Sequence, residues 1–283
     1  MSLGIRGHVV RQELFSLFAS PGESLSLTLP GHDSSELRLF LDDQQYGRAE
    51  PDHWAFNAPD QPGLYRLTLQ HGDNELPVRL NLFVGVPADR IEGDSLNGYR
   101  MGPPPPGHER YRSLYQAPAS FIEVTEENID TRLSPHFTLG QFLCKQEGTF
   151  PKYVALNESL LLLLENLLQA VREAGYAVDT FGVISGYRTP DYNRRIGNVP
   201  NSRHVYGDAM DLFVDADGDG RMDDLNGDGM LNRADVDRLF EIVEKVKSMP
   251  DNARLVGGVG RYYQASHHGG FIHVDARGYR ARW

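Results

Sequence analysis

Between about residue 8 and residue 87 apolar and polar side chains alternate in short runs, and this period of two limits the fold more than any other feature of the chain. Leu25-Ser-Leu-Thr-Leu29, Leu37-Arg-Leu-Phe40, Leu64-Tyr-Arg-Leu-Thr-Leu69 and Val78-Arg-Leu-Asn-Leu-Phe-Val84 are its clearest instances. Successive side chains of a strand leave opposite faces, so such runs suit antiparallel strands with one face buried. Residues 1–87 are therefore expected to form an all-β sandwich. Residues 88–133 hold Pro103-Pro-Pro-Pro106 and few periodic apolar positions, which predicts an irregular connector lying over a domain surface. From 134 to 283 the signals mix. Ser134 to Cys144 opens a short helix, Asn157 caps a longer one ending at Gly175, and Thr180–Ile184 reads as a strand, so this part is expected to be an α+β domain.

Pro62-Gly-Leu-Tyr-Arg-Leu-Thr-Leu69 resembles the strand of immunoglobulin-like domains in which a tyrosine hydroxyl bonds back to a nearby corner. Amphipathic filling of a sheet edge by Tyr65 is the other reading. The sandwich shows no His, Asp or Glu cluster with ligand spacing, and a spacer or docking role is expected of it.

At 283 residues the chain has room for two cores. The net charge of −11 argues against a nucleic-acid partner, because phosphate binding needs concentrated Lys and Arg. The single cysteine, Cys144, cannot close an intramolecular disulfide and reads as a buried apolar thiol. The longest leucine run, Leu160 to Leu164, is broken at once by Glu165 and Asn166, too soon for a membrane span.

Ser202-Arg-His-Val-Tyr-Gly-Asp-Ala-Met-Asp211 sets an imidazole seven residues before a carboxylate, with Gly207 free to turn between them. Phe271-Ile-His-Val-Asp275 adds a second imidazole in an apolar strand pattern. Two His and one Asp suit a zinc site that keeps a position open for catalysis. Singly, each residue has a bland explanation, such as a hydrogen-bonded core histidine.

The pattern Ser-x-His-x-x-Gly-x-Ala-x-Asp with a later strand His resembles the M15-type zinc D-Ala-D-Ala peptidases. The resemblance covers roughly residues 120 to 283 and takes in Leu133-Ser-Pro-His-Phe-Thr-Leu139 and Ser185-Gly-Tyr-Arg-Thr-Pro190. It implies zinc on His204, Asp211 and His273, and hydrolysis of amide bonds in peptidoglycan stem peptides or cross-links, as a D,D-carboxypeptidase or an endopeptidase. It also implies a periplasmic or extracellular location, with a signal peptide preceding this sequence. Arg188 matches the arginine that steadies the substrate carbonyl or oxyanion in several members, and a structural ion pair is its alternative. Ser202 shapes the motif turn or bonds a substrate terminus.

Many members carry a Glu or Asp three residues before the last ligand as general base, where this chain has Gly270. Asp275 is then the first candidate for that role, and His268 and His267 follow. His273-Val-Asp-Ala-Arg277 resembles a His-Val-Asp-x-Arg subgroup, in which Asp275 instead orients a zinc histidine. A catalytically inactive wall-binding module that keeps the fold is the alternative to an enzyme, and a cytosolic dipeptidase is a third reading.

Asp215, Asp217, Asp219, Asp223, Asp224 and Asp228 fall within fourteen residues. Asp224, Asn226, Asp228, Met230 (through its backbone carbonyl), Asn232 and Asp235 occupy positions 1, 3, 5, 7, 9 and 12 of an EF-hand-like calcium loop, with Gly229 at 6. Asp215, Asp217 and Asp219 repeat the opening of the motif. An inserted calcium loop at 215–235, clamping the zinc site, is the expectation. The solvated acidic turn is the alternative, and it leaves close carboxylates repelling one another.

Overall fold

The structure, a computed structural model, describes residues 2–266 and 268–283. Two sheets are built from residues 3–84. One runs in the order His8–Val10, Leu3–Ile5, Ser24–Thr28, Trp54–Asn57, Arg48–Ala49. The other runs Leu14–Ala19, Arg79–Val84, Gly63–His71, Leu37–Leu41, Gln44–Gln45, and all its pairs are antiparallel except the parallel pair Leu14–Ala19 with Arg79–Val84. The alternation does what the pattern predicts: Leu25 and Leu27, Leu67 and Leu69, Leu80 and Leu82 are buried in one shared core. The Tyr65 hydroxyl donates to Gln61 O at 2.9 Å, four residues back, a bond of the kind a tyrosine corner makes.

The stretch expected to be irregular contains a strand. Ser120–Val124 pairs antiparallel with both Val86–Pro87 and Lys152–Val154, burying Phe121, Ile122 and Val124. A five-residue strand with two adjacent apolar residues leaves no alternation long enough to be read.

In the C-terminal part a five-stranded sheet runs Gly182–Ser185, Ala209–Phe213, Phe271–Asp275, Gly258–Tyr262, Ala281–Arg282. The helices Glu158–Glu173 and Arg233–Ser248 contact one another, and the second lies against the Gly258–Tyr262 and Phe271–Asp275 strands. Asn157 caps the first helix, its side chain accepting from Leu160 N, and Gly175 follows the helix end with φ +101°. Ile272 and Val274 fall in the core while His273 and Asp275 face the other way, so the strand's period of two separates packing from chemistry.

The two parts share one core and polar fastenings. Glu158 accepts from Arg6 Nη1 at 2.8 Å and from Phe18 N at 3.0 Å, and Ser16 Oγ donates to Leu133 O at 2.7 Å. A buried carboxylate with two donors is satisfied where it stands, which ties the first sheet to the start of the helix.

Candidate metal centre

His204 sits on the short 3-10 turn Arg203–Tyr206, which Gly207 ends with φ +76°. A Cβ at Gly207 would stand 2.3 Å from Ala155 O, so space and backbone conformation both require glycine. The chain then enters the Ala209–Phe213 strand, where Asp211 is directly opposite His273 in an antiparallel register. Opposed residues hold their Cβ atoms about 4.5–5.5 Å apart. That register joins two side chains separated by 62 positions in sequence.

Three donor atoms converge. His273 Nδ1 lies 2.8 Å from Asp211 Oδ1, His204 Nε2 lies 3.1 Å from the same oxygen, and the two imidazole nitrogens are 3.2 Å apart. Zinc bonds of about 2.0–2.1 Å to nitrogen and oxygen put the edges of a tetrahedral face at roughly 3.3–3.4 Å, so this triangle fits one face of such an ion with slight opening. Two imidazoles and one carboxylate are also a borderline donor set of the kind zinc takes. Among the described residues these three form a buried group able to hold a metal.

Each donor is fixed from behind. His204 Nδ1 donates to Gly186 O at 2.6 Å, which leaves the lone pair of Nε2 free to bind a metal. Asp211 turns Oδ2 to Arg188 Nη2 at 2.6 Å, and Arg188 Nε donates to Ser185 Oγ at 2.8 Å. His273 Nε2 meets Asp275 Oδ2 at 2.9 Å, leaving Nδ1 facing the triangle. Asp275 is itself saturated. Gly258 N donates to its Oδ1 at 2.7 Å, and Arg277 Nε lies 2.9 Å from each oxygen.

Charge follows this geometry. Burial pushes His204 below the usual histidine range, the charges of Arg188 and His273 add to it, and the nearby Asp211 offsets only part of that. For His273 burial acts in the same direction but is outweighed by hydrogen bonds to Asp211 and Asp275, and its pKa is raised to about 9. Burial would raise both carboxylates. The histidines beside Asp211, and His273 with Arg277 beside Asp275, instead hold them well below the usual carboxylate range.

The other sequence candidates fall elsewhere. Asp275 lies across the His273 ring from the donor triangle, at Nε2 rather than Nδ1. Arg188 is on Asp211, and Ser202 begins the turn that carries His204. His268 packs edge-on against Phe271, centroids 5.0 Å apart, and lines a pocket of about 470 Å³ with Arg221, Met222, Asp235 and Gly270. His267 lies outside the described residues. A Cβ at Gly270 would come 2.7 Å from Val236 Cγ2 and 3.2 Å from Met222 Sδ, so a larger side chain there needs neighbours to move. His136 is structural, held between Glu165 Oε2 at 2.7 Å and Arg172 Nη1 at 2.8 Å.

In the acidic segment the structure gathers Asp215, Asp217 and Asp223 within reach of one cation. Asp219 is exposed and bonds the backbone of Arg221. In the following loop Asp224 accepts from the N–H groups of Gly227, Asp228 and Gly229, Asp228 from Met230, and Asn226 from Asp228. Asp235 accepts at Oδ1 from Leu225 N and Asn226 N and at Oδ2 from Asn232 N, completing a capping box with Asn232 at the start of the Arg233–Ser248 helix. Sequence reading did not give a ligand role to Asp223. Its place eight residues after Asp215, in Asp-x-Asp-x-Asp-Gly-x-x-Asp, is the signal that could have supplied one.

Among the described residues no helix is long and apolar enough to cross a membrane. No curated protein and no solved structure matches the chain. A family model described as Peptidase M15 matches residues 135–225, about a third of the 283 residues. The match spans Arg188, His204 and Asp211 and stops before His273, which the sheet register brings to the same point. It supports the M15 peptidase family for this part of the chain, and with it metallopeptidase chemistry.

Proposed function

We propose that the protein is a zinc-dependent peptidase that hydrolyses amide bonds in peptidoglycan stem peptides or cross-links, with His204, Asp211 and His273 holding the metal. The observation that carries the reading is the donor triangle, two of whose members lie within the segment matching the M15 family. Bound zinc supplies Lewis acidity toward the scissile carbonyl and a means of activating water at neutral pH.

The chain's own residues would divide the remaining work. Arg188 holds Asp211 through one carboxylate oxygen and places a guanidinium beside the metal position, where charge grows on the carbonyl oxygen in the transition state. Asp275 orients His273 and fixes its tautomer, a role its contact with Nε2 supports better than proton abstraction. His268 is then the remaining sequence candidate for the general base; its ring packs on Phe271 and lines the pocket beside Asp235, so the role requires the loop before the Phe271–Asp275 strand to swing toward the metal. A site at 215–223 for a calcium ion, with Asp215, Asp217 and Asp223 as ligands, would pin that segment just after the Asp211 strand. The sheets of residues 3–84 form the immunoglobulin-like sandwich of this reading and dock on the peptidase part.

Mass spectrometry of purified muropeptides incubated with zinc-loaded protein tests the function. Loss of D-alanine or opening of cross-links, abolished by His204→Ala, is expected. Binding to muropeptides without any cleavage would favour an inactive wall-binding module, the reading that Gly270 in place of an acid supports.

A further inference from the structure

The support behind His273 continues past Asp275. Arg277, which holds Asp275, carries its guanidinium 5.6 Å from the centroid of the Tyr279 ring. Tyr279 is gripped in turn by the connector: Tyr111 stacks on it at 4.3 Å with planes 17° apart, and the hydroxyls of Tyr115 and Tyr279 are 2.7 Å apart. The other side of the metal centre reaches the same tyrosine. Arg203, the residue before His204, lies 4.5 Å over the Tyr115 ring and 4.5 Å over that of Tyr206, pairs with Asp208, and donates from Nη1 to Leu114 O at 2.8 Å. Asp208 O accepts from Ala276 N at 3.0 Å, closing the loop between the two segments. Tyr115, Val205 and Tyr206 make a small buried cluster apart from the main core, with Tyr111 and Tyr279 against it.

We propose that Tyr115 is a positioning residue for the metal centre, clamping the turn that carries His204 to the strand end that carries Asp275 and Arg277. This rests on the zinc reading given above. Tyrosine suits the task because its ring takes the Arg203 guanidinium while its hydroxyl takes Tyr279, and phenylalanine can do only the first. The segment around Tyr115 thereby becomes part of the site's supporting shell rather than a tether between two domains. The bland account is that the tyrosines only glue two surface segments together. It predicts a loss of stability with no change at the metal.

Zinc affinity of the full chain, measured by competition with a chromophoric chelator, separates the two. Removing a direct partner of a metal ligand typically costs about 10–100-fold in affinity; Tyr115 acts further out, through Arg203 and through Tyr279 and Arg277, so Tyr115→Leu is expected near the low end, about tenfold. Tyr115→Phe should lose several-fold, and the double variant Tyr115→Phe/Tyr279→Phe should be no weaker than the worse single one, since both remove one hydrogen bond. Tyr153→Phe is the control. Its hydroxyl bonds Asn97 and Glu123 at 2.6 Å each, away from the site, so its loss should lower the thermal midpoint and leave zinc affinity unchanged. If Tyr115→Leu fails to fold, Tyr115→Phe decides alone. Wild-type affinity in the Tyr115 variants, or equal weakening in Tyr153→Phe, overturns the clamp and leaves the zinc reading standing. A wild-type protein that takes up no zinc overturns both.

Discussion

Asp275 holds the Nε2 edge of His273 at 2.9 Å, and that contact leaves Nδ1 as the nitrogen facing Asp211 and His204. A strand places residues two apart on one face, so the spacing His-Val-Asp is what allows one carboxylate to steer the ring next to it. For Asp275→Asn the expected outcome is zinc affinity lower by about 10–100-fold, with kcat nearly intact once the metal is saturating. Titration with zinc alongside kinetics at excess metal checks it. A collapse of kcat by about a hundredfold with zinc fully bound would return Asp275 to the role of base.

Zinc stoichiometry follows from the donor triangle. Wild-type protein should carry close to one zinc, and His204→Ala and His273→Ala should lose it, as measured by elemental analysis after desalting. Full retention in either variant removes that histidine from the ligand set.

The metal and a proton compete for His273. With its pKa raised to about 9 in the zinc-free fold, against about 6.5 unfolded, the stabilisation from this proton is complete below about 6.5 and fades as pH rises through about 9. Zinc needs the neutral ring, so affinity should tighten by about tenfold per pH unit from about 7 to 9 and then level off. His204, with its pKa lowered, adds nothing over that span. A flat affinity from pH 7 to pH 9 would show that no proton leaves Nδ1 on binding.

Arg188 holds Asp211 through a short charge-assisted bond, and its planar fork is what a lysine lacks. Arg188→Lys should lower kcat by about 10²-fold or more, in line with the loss of one transition-state donor, while zinc stays bound. Unchanged kcat with weakened zinc would confine Arg188 to holding Asp211.

Calcium binds only the folded loop in the proposed reading and should raise the thermal midpoint. Calorimetry with and without a calcium chelator reads the shift, and Asp215→Asn or Asp223→Asn should abolish it. A midpoint indifferent to millimolar calcium leaves the acidic segment a solvated turn.

Local pattern was enough for a good part of this protein. The period of two between residues 8 and 87 gives strands with buried Leu27, Leu69 and Leu82, and the Asn157 and Gly175 signals bracket a helix, because alternation, capping and left-handed backbone are written within a few residues. His204, Asp211 and His273 could be picked out as a set through the motif and its resemblance, but their meeting at 2.8 to 3.2 Å depends on a strand register between residues 62 apart. Which edge of His273 faces Asp275, which acidic side chains come together, and that connector tyrosines reach the supports of both histidines are questions of side-chain direction, set by what packs around each group. The chain alone does not fix that direction, since a strand residue's spacing names its face but not the partner it will find there. Tertiary packing decided those points, through the register that opposed Asp211 to His273 and through the Tyr115–Tyr279 contact that only the folded chain makes.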